Sequence, residues 1–297
     1  MSRYWTMLLT LAAVWGASYL FIKVGVRDFE PATLVFLRVL LAALTLLPIV
    51  LLTTGLGGLR ASWLQLGIMG ALNSALPFWL LTFGETRLDS GLAAVIQAAA
   101  PIFTVLIAVR YDPSQRVTGA RLVGVLVGFA GVALLVGAQR GGDLVAALAV
   151  AACAACYAMG ALYGGRRLAH MPPVEMSFGA MIAATVLSAP AGLLQLPGDT
   201  PGWKPVASIV LLGVVGTGLA YILYFGLILG AGASKAILVT YLVPALALVY
   251  GAVFLDESVT FVSLVGLALV LAGVALGTGT VGRSRRARRT RAASLTR

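Results

Sequence analysis

Apolar residues dominate the chain in ten long runs, and charged residues, glycine and proline collect in the short connections between them. Each run is about 18 to 24 residues long, which suits a helix that crosses a hydrocarbon layer of about 30 Å. The pattern therefore predicts an all-α membrane protein with ten transmembrane helices. We number the runs segments 1 to 10 in chain order: Tyr4–Val24, Pro31–Thr53, Trp63–Phe83, Ser90–Val109, Ala120–Gly137, Leu144–Tyr163, Val174–Leu194, Val206–Leu229, Ser234–Leu255 and Phe261–Gly279.

The sequence of segment 5 returns in segment 10. Residues 123–137 and 265–279 are identical at eight of fifteen aligned positions, and their offset of 142 is close to half of 297 residues. Pro31 and Pro173 recur at the same offset, and Pro101 and Pro244 recur at 143. These matches predict a duplicated half-chain, as in membrane transporters with internal repeats. The predicted divisions are a first repeat at 1–139, a second at 140–280 and a basic tail at 281–297.

Composition agrees with a membrane protein. The chain is 60% hydrophobic and 10% charged, with a mean hydropathy of +1.01, whereas a soluble chain carries about 25% charged residues. The net charge of +11 is concentrated at one end, because seven of the 21 lysines and arginines lie in the last fifteen residues. No groove-reading motif accompanies this charge, so we predict a tail near anionic lipid and no nucleic-acid partner.

The remaining lysines and arginines divide unequally between the two sides of the segments. The termini and the connections that share their side carry fifteen, and the other connections carry five. Since positive residues accumulate in the cytoplasm, both termini are predicted to be cytoplasmic. A half of five segments that begins inside ends outside, so the second half must begin outside. The two five-helix repeats are therefore predicted to be inverted, around a site near the bilayer midplane.

Several motifs in this order resemble the EamA type of the drug/metabolite transporter superfamily over residues 5–280. They are W-G-A-S-Y-L-F-I-K at Trp15–Lys23, Arg38, the prolines of segments 4 and 9, L-D-E at Leu255–Glu257, and G-V-A-L near the end of each half. The chain is most similar to bacterial amino-acid and metabolite exporters of the YddG type. It departs from the family at 110–112, where Arg-Tyr-Asp replaces a glutamate, and Arg38 aligns with Ala180 in the second half.

The resemblance implies a secondary transporter in the bacterial inner membrane, without a cofactor, that moves amino acids and related amphiphilic metabolites by alternating access. Two other functions stay open. A nucleotide-sugar or organophosphate antiporter would need several basic residues in its cavity, whereas the segments contain Arg38 alone as a candidate. An intramembrane enzyme would want a Ser–His pair, paired aspartates or a metal cluster, and the spans carry none of these. No G-x-x-x-x-G-K loop for ATP is present.

Prolines inside segments 4 and 9 identify the first candidate residues. A proline within a helix frees the carbonyl four residues earlier, here that of Gln97 and that of Thr240. In lipid, a freed carbonyl must find a partner or line a cavity. We therefore predict Gln97 and Thr240 as substrate-binding residues, and Pro101 and Pro244 as hinges. The alternative is that neighbouring helices satisfy the carbonyls and the prolines only bend their helices.

Arg38 is the second candidate. It lies seven residues into segment 2, about 10 Å below one mouth at 1.5 Å per residue. An ionised side chain at that depth faces a cavity or a partner, or else it extends outward and anchors the helix end. We predict a cavity or gate role for it. The acidic residues Glu85, Glu175 and Glu257 all lie near segment ends, so the sequence gives no deep carboxylate.

Aromatic and amide side chains within the segments complete the predicted site. They place hydrogen-bonding groups at depths where packing alone does not require them, although packing or an interfacial belt is the better explanation for any single one. The predicted pocket is small and amphiphilic. Its further members are Trp15, Tyr19, Asn73, Phe78, Trp79, Tyr157, Tyr221, Tyr224 and Tyr241.

Glycines spaced four apart allow close helix approach at Gly124/Gly128, Gly226/Gly230 and Gly273/Gly277. They fit internal contacts and a dimer face equally well, so the chain is predicted to be a monomer or a homodimer. Cys153 and Cys156 lie on an apolar helix without a turn to present them, and His170 lies in a loop without an oriented partner. Neither feature predicts a redox, metal or catalytic site.

Overall fold

The computed structural model describes residues 3–111, 118–139, 142–232, 236 and 238–277, and the predicted basic tail at 281–297 lies outside them. The described part is helical, with no strand in it. The all-α prediction is therefore confirmed. Eight helices are long and apolar enough to cross a membrane.

The predicted segments correspond to helices in order. Segments 9 and 10 are helices of 16 and 17 residues, and the first of them begins after Leu238. The predicted start of segment 9 and the predicted end of segment 10 fall outside the described residues. A short helix at Gly57–Ala61, between segments 2 and 3, was not predicted. The bounds are Arg3–Gly25, Pro31–Thr53, Trp63–Glu85, Ser90–Tyr111, Ala120–Gly137, Gly142–Arg167, Pro173–Leu194, Trp203–Ala231, Val239–Phe254 and Phe261–Gly277.

Segments 3 and 8 each contain a π-helical stretch. In segment 3, Ala71–Ala75 lies between the α-helices Trp63–Gly70 and Leu76–Glu85. In segment 8, Leu211–Leu219 lies between Trp203–Val210 and Ala220–Ala231. A π turn hydrogen-bonds five residues back instead of four, which rotates the residues beyond it around the helix axis. A pattern of apolar positions with a period of 3.6 residues does not reveal this change.

The two prolines that were predicted as hinges lie in different surroundings. Segment 4 is interrupted before Pro101, because one helix ends at Gln97 and the next begins at Ala100. Segment 9 runs unbroken from Val239 to Phe254 with Pro244 inside it. The break that proline chemistry predicts is therefore present in one half of the chain and not in its counterpart.

The most extensive helix contacts join the two halves of the chain. Segment 5 packs against segment 10, and segment 2 against segment 7; segment 1 lies along segment 9, and segment 3 along segment 6. The core cluster between them includes Ile22, Leu34, Leu81, Ile96 and Leu135. The halves are thus interleaved, and residues near the centre come from both.

Glycines make the contact between segments 5 and 10 close. A Cβ at Gly273 would meet the backbone of Gly128 and lie 2.7 Å from the carbonyl oxygen of Gly124. At Gly226, a Cβ would lie 2.9 Å from the Met7 side chain of segment 1. The spaced glycines of segments 5 and 10 and those of segment 8 therefore make contacts within the chain.

We predict that Gly273→Ala destabilises the fold while Gly67→Ala does not. The new methyl group at 273 meets backbone on segment 5, so the two helices must separate, at a cost of about 1–3 kcal/mol. Gly67 is the matched control, because nothing lies within 4 Å of a Cβ there and alanine favours helix by up to about 1 kcal/mol. Thermal unfolding in detergent measures both. Equal melting temperatures for the two variants would contradict the close contact.

Candidate functional site

Arg38 is buried where segments 2, 3 and 8 meet, with 6% of its surface exposed. Its guanidinium carbon lies 3.6 Å from the centre of the Phe78 ring. Its Nε donates a hydrogen bond of 3.0 Å to the hydroxyl oxygen of Thr217. Phe78 thus covers one face of the guanidinium, and Thr217 binds its Nε edge. Arg38 therefore does not extend outward as an anchor of the helix end.

The π-helix of segment 8 holds Thr217 in position. Its hydroxyl donates a hydrogen bond of 2.9 Å to the carbonyl oxygen of Leu212, five residues earlier, and accepts the bond from Arg38. Because the hydroxyl proton is committed to Leu212, the oxygen lone pairs point toward the guanidinium. Thr217 was not predicted, since a threonine in an apolar run carries no sequence signal for this role.

A second polar contact joins the two π-helical segments. The Asn73 amide, in the π stretch of segment 3, donates a hydrogen bond of 3.3 Å to the Tyr221 hydroxyl in segment 8. Segment 6 approaches closely here, because a Cβ at Gly160 would lie 3.0 Å from the Cβ of Asn73. Asn73 and Tyr221 were both predicted members of the site.

Aromatic rings surround the guanidinium. Tyr157, Tyr221 and Tyr19 are near enough to Arg38 to interact with it electrostatically. The rings of Tyr157 and Phe78 are 6.4 Å apart. Four of the predicted residues therefore gather around Arg38 itself, one each from segments 1, 3, 6 and 8.

A further row of aromatic rings extends from this group toward segment 1. Tyr221 stacks on Phe225 at 6.1 Å, Phe225 lies 5.6 Å from Tyr224, and Tyr224 lies 5.3 Å from Trp15. Trp15 and Tyr224 were predicted, and Phe225, which links them to the group, was not. A pattern of rings on one helix cannot show which of them meet a neighbouring helix.

The other predicted residues have surroundings of their own. Trp79 is 41% exposed and stacks on Phe83 at 5.5 Å. Gln97 ends the first part of segment 4, and its side-chain oxygen is buried without a hydrogen-bond partner among the described residues. Thr240 and Tyr241 lie in the first turn of segment 9, where Tyr241 packs against the core cluster.

The burial of Glu85 differs most from the prediction made from the sequence. Placed at a segment end, it was not regarded as a deep carboxylate, yet none of its surface is exposed. Within the part of the chain that the structure describes, neither of its carboxylate oxygens has a hydrogen-bond partner. The Arg38 guanidinium lies within electrostatic range of it. Its position near a helix end suggested exposure, but that end is covered by the rest of the protein.

Polar contacts join the connections on the side of the molecule that carries Lys23, which we call the Lys23 face. The Lys23 ammonium donates to the carbonyl oxygens of Glu85 at 2.9 Å and of Leu88 at 2.6 Å. The Glu257 carboxylate accepts bonds from the backbone and hydroxyl of Ser90, both at 2.8 Å, at the start of segment 4. Partial burial and the nearby Glu257 raise the pKa of the Asp89 carboxyl, and Lys23 opposes them.

On the opposite face, too, a polar contact joins the two halves. There the Glu175 carboxylate accepts a bond of 2.8 Å from the backbone amide of Gly58. The described part of the chain holds no cluster of three or more His, Cys, Asp or Glu that would suit a metal ion. Cys153 and Cys156 are buried free thiols.

Comparison with known proteins identifies the family. The model of the EamA-like transporter family matches the chain twice, over residues 3–137 and 144–278. The chain belongs to the EamA-like transporter family. The predicted family resemblance is confirmed.

Relatives of this EamA-family chain are named as transporters. A probable terminal-alkyne amino-acid exporter of Streptantibioticus cattleyicolor is 30% identical, with 95% of this chain and 96% of that protein covered. The uncharacterized inner membrane transporter YedA of Escherichia coli K12 is 27% identical, over 91% and 89% of the two chains. A solved crystal structure at 22% identity covers 95% of this chain and 99% of the other with a TM-score of 0.66, which shows a shared fold.

These similarities agree with the helices that the structure shows. The chain is a multi-pass inner membrane protein of a transporter family, with apolar helices long enough to span a bilayer.

Proposed function

We propose that this EamA-family protein is a secondary transporter that exports amino acids and related small amphiphilic metabolites by alternating access. The observation that carries the proposal is the buried guanidinium of Arg38. Its Nη1 has no hydrogen-bond partner among the described residues, and aromatic rings surround it. A carboxylate is the natural partner of a guanidinium, because the two exchange paired charge-assisted hydrogen bonds.

The surroundings of Arg38 favour an amphiphilic solute. Phe78, Tyr157 and Tyr221 offer ring faces and hydroxyl groups, which suit a molecule with one apolar part and one polar part. The relative named as an amino-acid exporter supports the same class of substrate. The anionic head of the solute would bind Arg38, and its side chain would lie against the rings.

The alternative, a nucleotide-sugar or organophosphate antiporter, has less support from these contacts. A phosphorylated substrate carries more negative charge than one arginine balances. The titratable groups within electrostatic range of Arg38 are three tyrosines and Glu85, none of which adds positive charge for a phosphate. Lys23 already donates to two carbonyl oxygens.

We propose ten transmembrane helices in two inverted repeats with both termini in the cytoplasm. Helix contacts support the repeat, because a pair of segments that pack together has a counterpart pair in which each segment is replaced by its repeat equivalent. Segments 1 to 5 are equivalent to segments 6 to 10 in this comparison. Segments 1 and 9 pack together, as do segments 6 and 4; segments 3 and 6 pack together, as do segments 8 and 1. Two copies of the family domain in one chain support it as well.

In this arrangement the Lys23 face is the outer side and is closed. Lys23, Glu257 and Asp28 each bond across connections there, the last to the backbone amide of Gly202 at 2.7 Å. The first part of segment 4 begins at the Glu257 contact and ends at the break before Pro101. A rigid half-helix between a breakable cap and a bend is suited to open this face.

The central test is transport in proteoliposomes with a panel of amino acids, together with variants of Arg38. Arg38→Ala should lower transport about 10- to 100-fold, the effect of losing a charge-assisted hydrogen bond, while the yield of folded protein stays similar. Arg38→Lys should fall between, since an ammonium neither stacks nor pairs in two places. Arg87→Ala, an exposed arginine on the Lys23 face, is the control. Full activity of Arg38→Ala would mean that Arg38 does not bind substrate.

Orientation is tested with two glycines at which a Cβ would have open space, Gly198 and Gly165. In a background in which Cys153 and Cys156 are alanine, Gly198→Cys should react with an impermeant thiol reagent applied to intact cells. Gly165→Cys should react only after permeabilisation. The opposite result would reverse the proposed orientation.

The hinge proposal predicts opposite effects for the two prolines. Pro101→Ala restores an amide that can bond to the Gln97 carbonyl, which straightens segment 4 and should favour an open Lys23 face. Pro244→Ala strengthens the unbroken segment 9 of this structure and should favour the closed Lys23 face. Both should slow transport.

Labelling of Leu88→Cys on the Lys23 face and Met171→Cys on the opposite face would measure these shifts, since both positions are buried here. If both variants move the accessibility in the same direction, the prolines are packing features and not hinges.

A further inference from the structure

Two groups of opposite charge are buried in the protein with unused hydrogen-bonding capacity. Arg38 Nη1 lacks an acceptor, and both carboxylate oxygens of Glu85 lack a donor, among the residues that the structure describes. Glu85 is fully buried and Arg38 is 6% exposed. The two side chains are within electrostatic range of each other, and Tyr19 is within range of both. No direct ion pair between them satisfies these atoms.

The other charged groups around Glu85 already have partners. Lys23 of segment 1 donates to two carbonyl oxygens, and Glu257 of the connection after segment 9 accepts three bonds from Ser90 and Gly91. The titratable neighbours Tyr19 of segment 1 and Cys153 of segment 6 complete the surroundings. The Lys23 ammonium is also within electrostatic range of Glu85, but its two bonds go to carbonyl oxygens, and the Glu85 carboxylate oxygens and Arg38 Nη1 are left without hydrogen-bond partners among the described residues.

Burial of a charged group without a hydrogen-bond partner is costly, and the cost is removed when a ligand supplies the partner. A carboxylate ligand alone would satisfy Arg38 and leave Glu85 without a donor. A zwitterion satisfies both, because its carboxylate pairs with the guanidinium and its ammonium pairs with Glu85. Each buried charge then has an opposite charge beside it.

Resting on the proposed function, we propose that Glu85 binds the ammonium group of the substrate, so that Arg38 and Glu85 together select zwitterionic amino acids. The site then discriminates against carboxylic acids that lack the amino group and against amines that lack the carboxylate. Both residues belong to the first half of the chain, and Arg38 aligns with Ala180 in the second half. The proposed charged subsite is therefore not duplicated by the repeat.

The location of Glu85 also gives the ammonium a path to the Lys23 face. Glu85 is among the residues around a pocket of about 410 Å³ on that face, together with Lys23, Asp89 and Glu257. Opening of the Lys23 face would hydrate Glu85, and water would then compete with it for the ammonium.

The test compares probes that share a side chain and differ in charge. Binding to the full-length protein in detergent is measured for L-phenylalanine, 3-phenylpropanoate and phenethylamine, and for leucine, 4-methylpentanoate and 3-methylbutylamine. In the unmodified protein, the amino acid of at least one series should bind about 10- to 100-fold more tightly than both of its analogues. This comparison needs no variant, so it does not depend on the folding of a mutant.

Glu85→Gln should remove that advantage selectively. The affinity for the amino acid should fall to that of the carboxylic acid, whose own affinity should change less than about twofold, because it has no ammonium to lose. Glu175→Gln is the matched control, a buried carboxylate whose oxygen already accepts a bond from Gly58. That variant should leave the ratio between amino acid and acid unchanged.

The outcomes separate this proposal from the proposed function. If the unmodified protein transports amino acids but binds them no better than the acids, or if Glu85→Gln weakens both probes equally, the ammonium subsite is wrong while amino-acid export stands. If the protein neither binds nor transports any of the amino acids, the proposed function fails, and this proposal fails with it.

Discussion

The burial of one arginine in an apolar helical protein is the constraint on which the centre of this structure depends. A guanidinium out of water must be hydrogen-bonded, stacked or paired, because its dehydration is costly. Here Phe78 of segment 3 and Thr217 of segment 8 provide the stack and one of the bonds. Segments from both halves of the chain must therefore converge on segment 2, and the aromatic group around Arg38 follows from that convergence.

The two π-helical stretches are the means by which the backbone meets this constraint. Each lies in the middle of its segment and changes the angular position of the residues beyond it. Asn73 and Thr217, which each form a hydrogen bond with another segment, are both within these stretches. A regular α-helix over the same residues would turn these side chains away from their partners.

Much of the fold could be predicted from the sequence because it depends on length and hydrophobicity, which are local properties. The bounds of segments 2 and 5 agree with their apolar runs to the residue, and the break in segment 4 follows from the chemistry of Pro101. The membership of the site was harder to predict, because it depends on contacts between segments that are distant in the sequence. Arg38 was recognisable because a charge in an apolar run is conspicuous, whereas Thr217 and Phe225 resemble packing residues until their partners are known. Glu85 was misjudged because nearness to a helix end does not measure burial.

The contacts that hold the halves together differ in kind, and the difference bears on movement. Segments 5 and 10 meet through glycine backbone, a contact that no side-chain rotation can release and that leaves no room for sliding. The Lys23 face is held by a lysine on carbonyl oxygens and by a carboxylate on the first amides of segment 4. Water can replace such polar contacts at little net cost. In the proposed mechanism, the glycine contact is therefore suited to be the fixed part of the molecule, and the helix between the Glu257 contact and Pro101 is suited to be the part that moves.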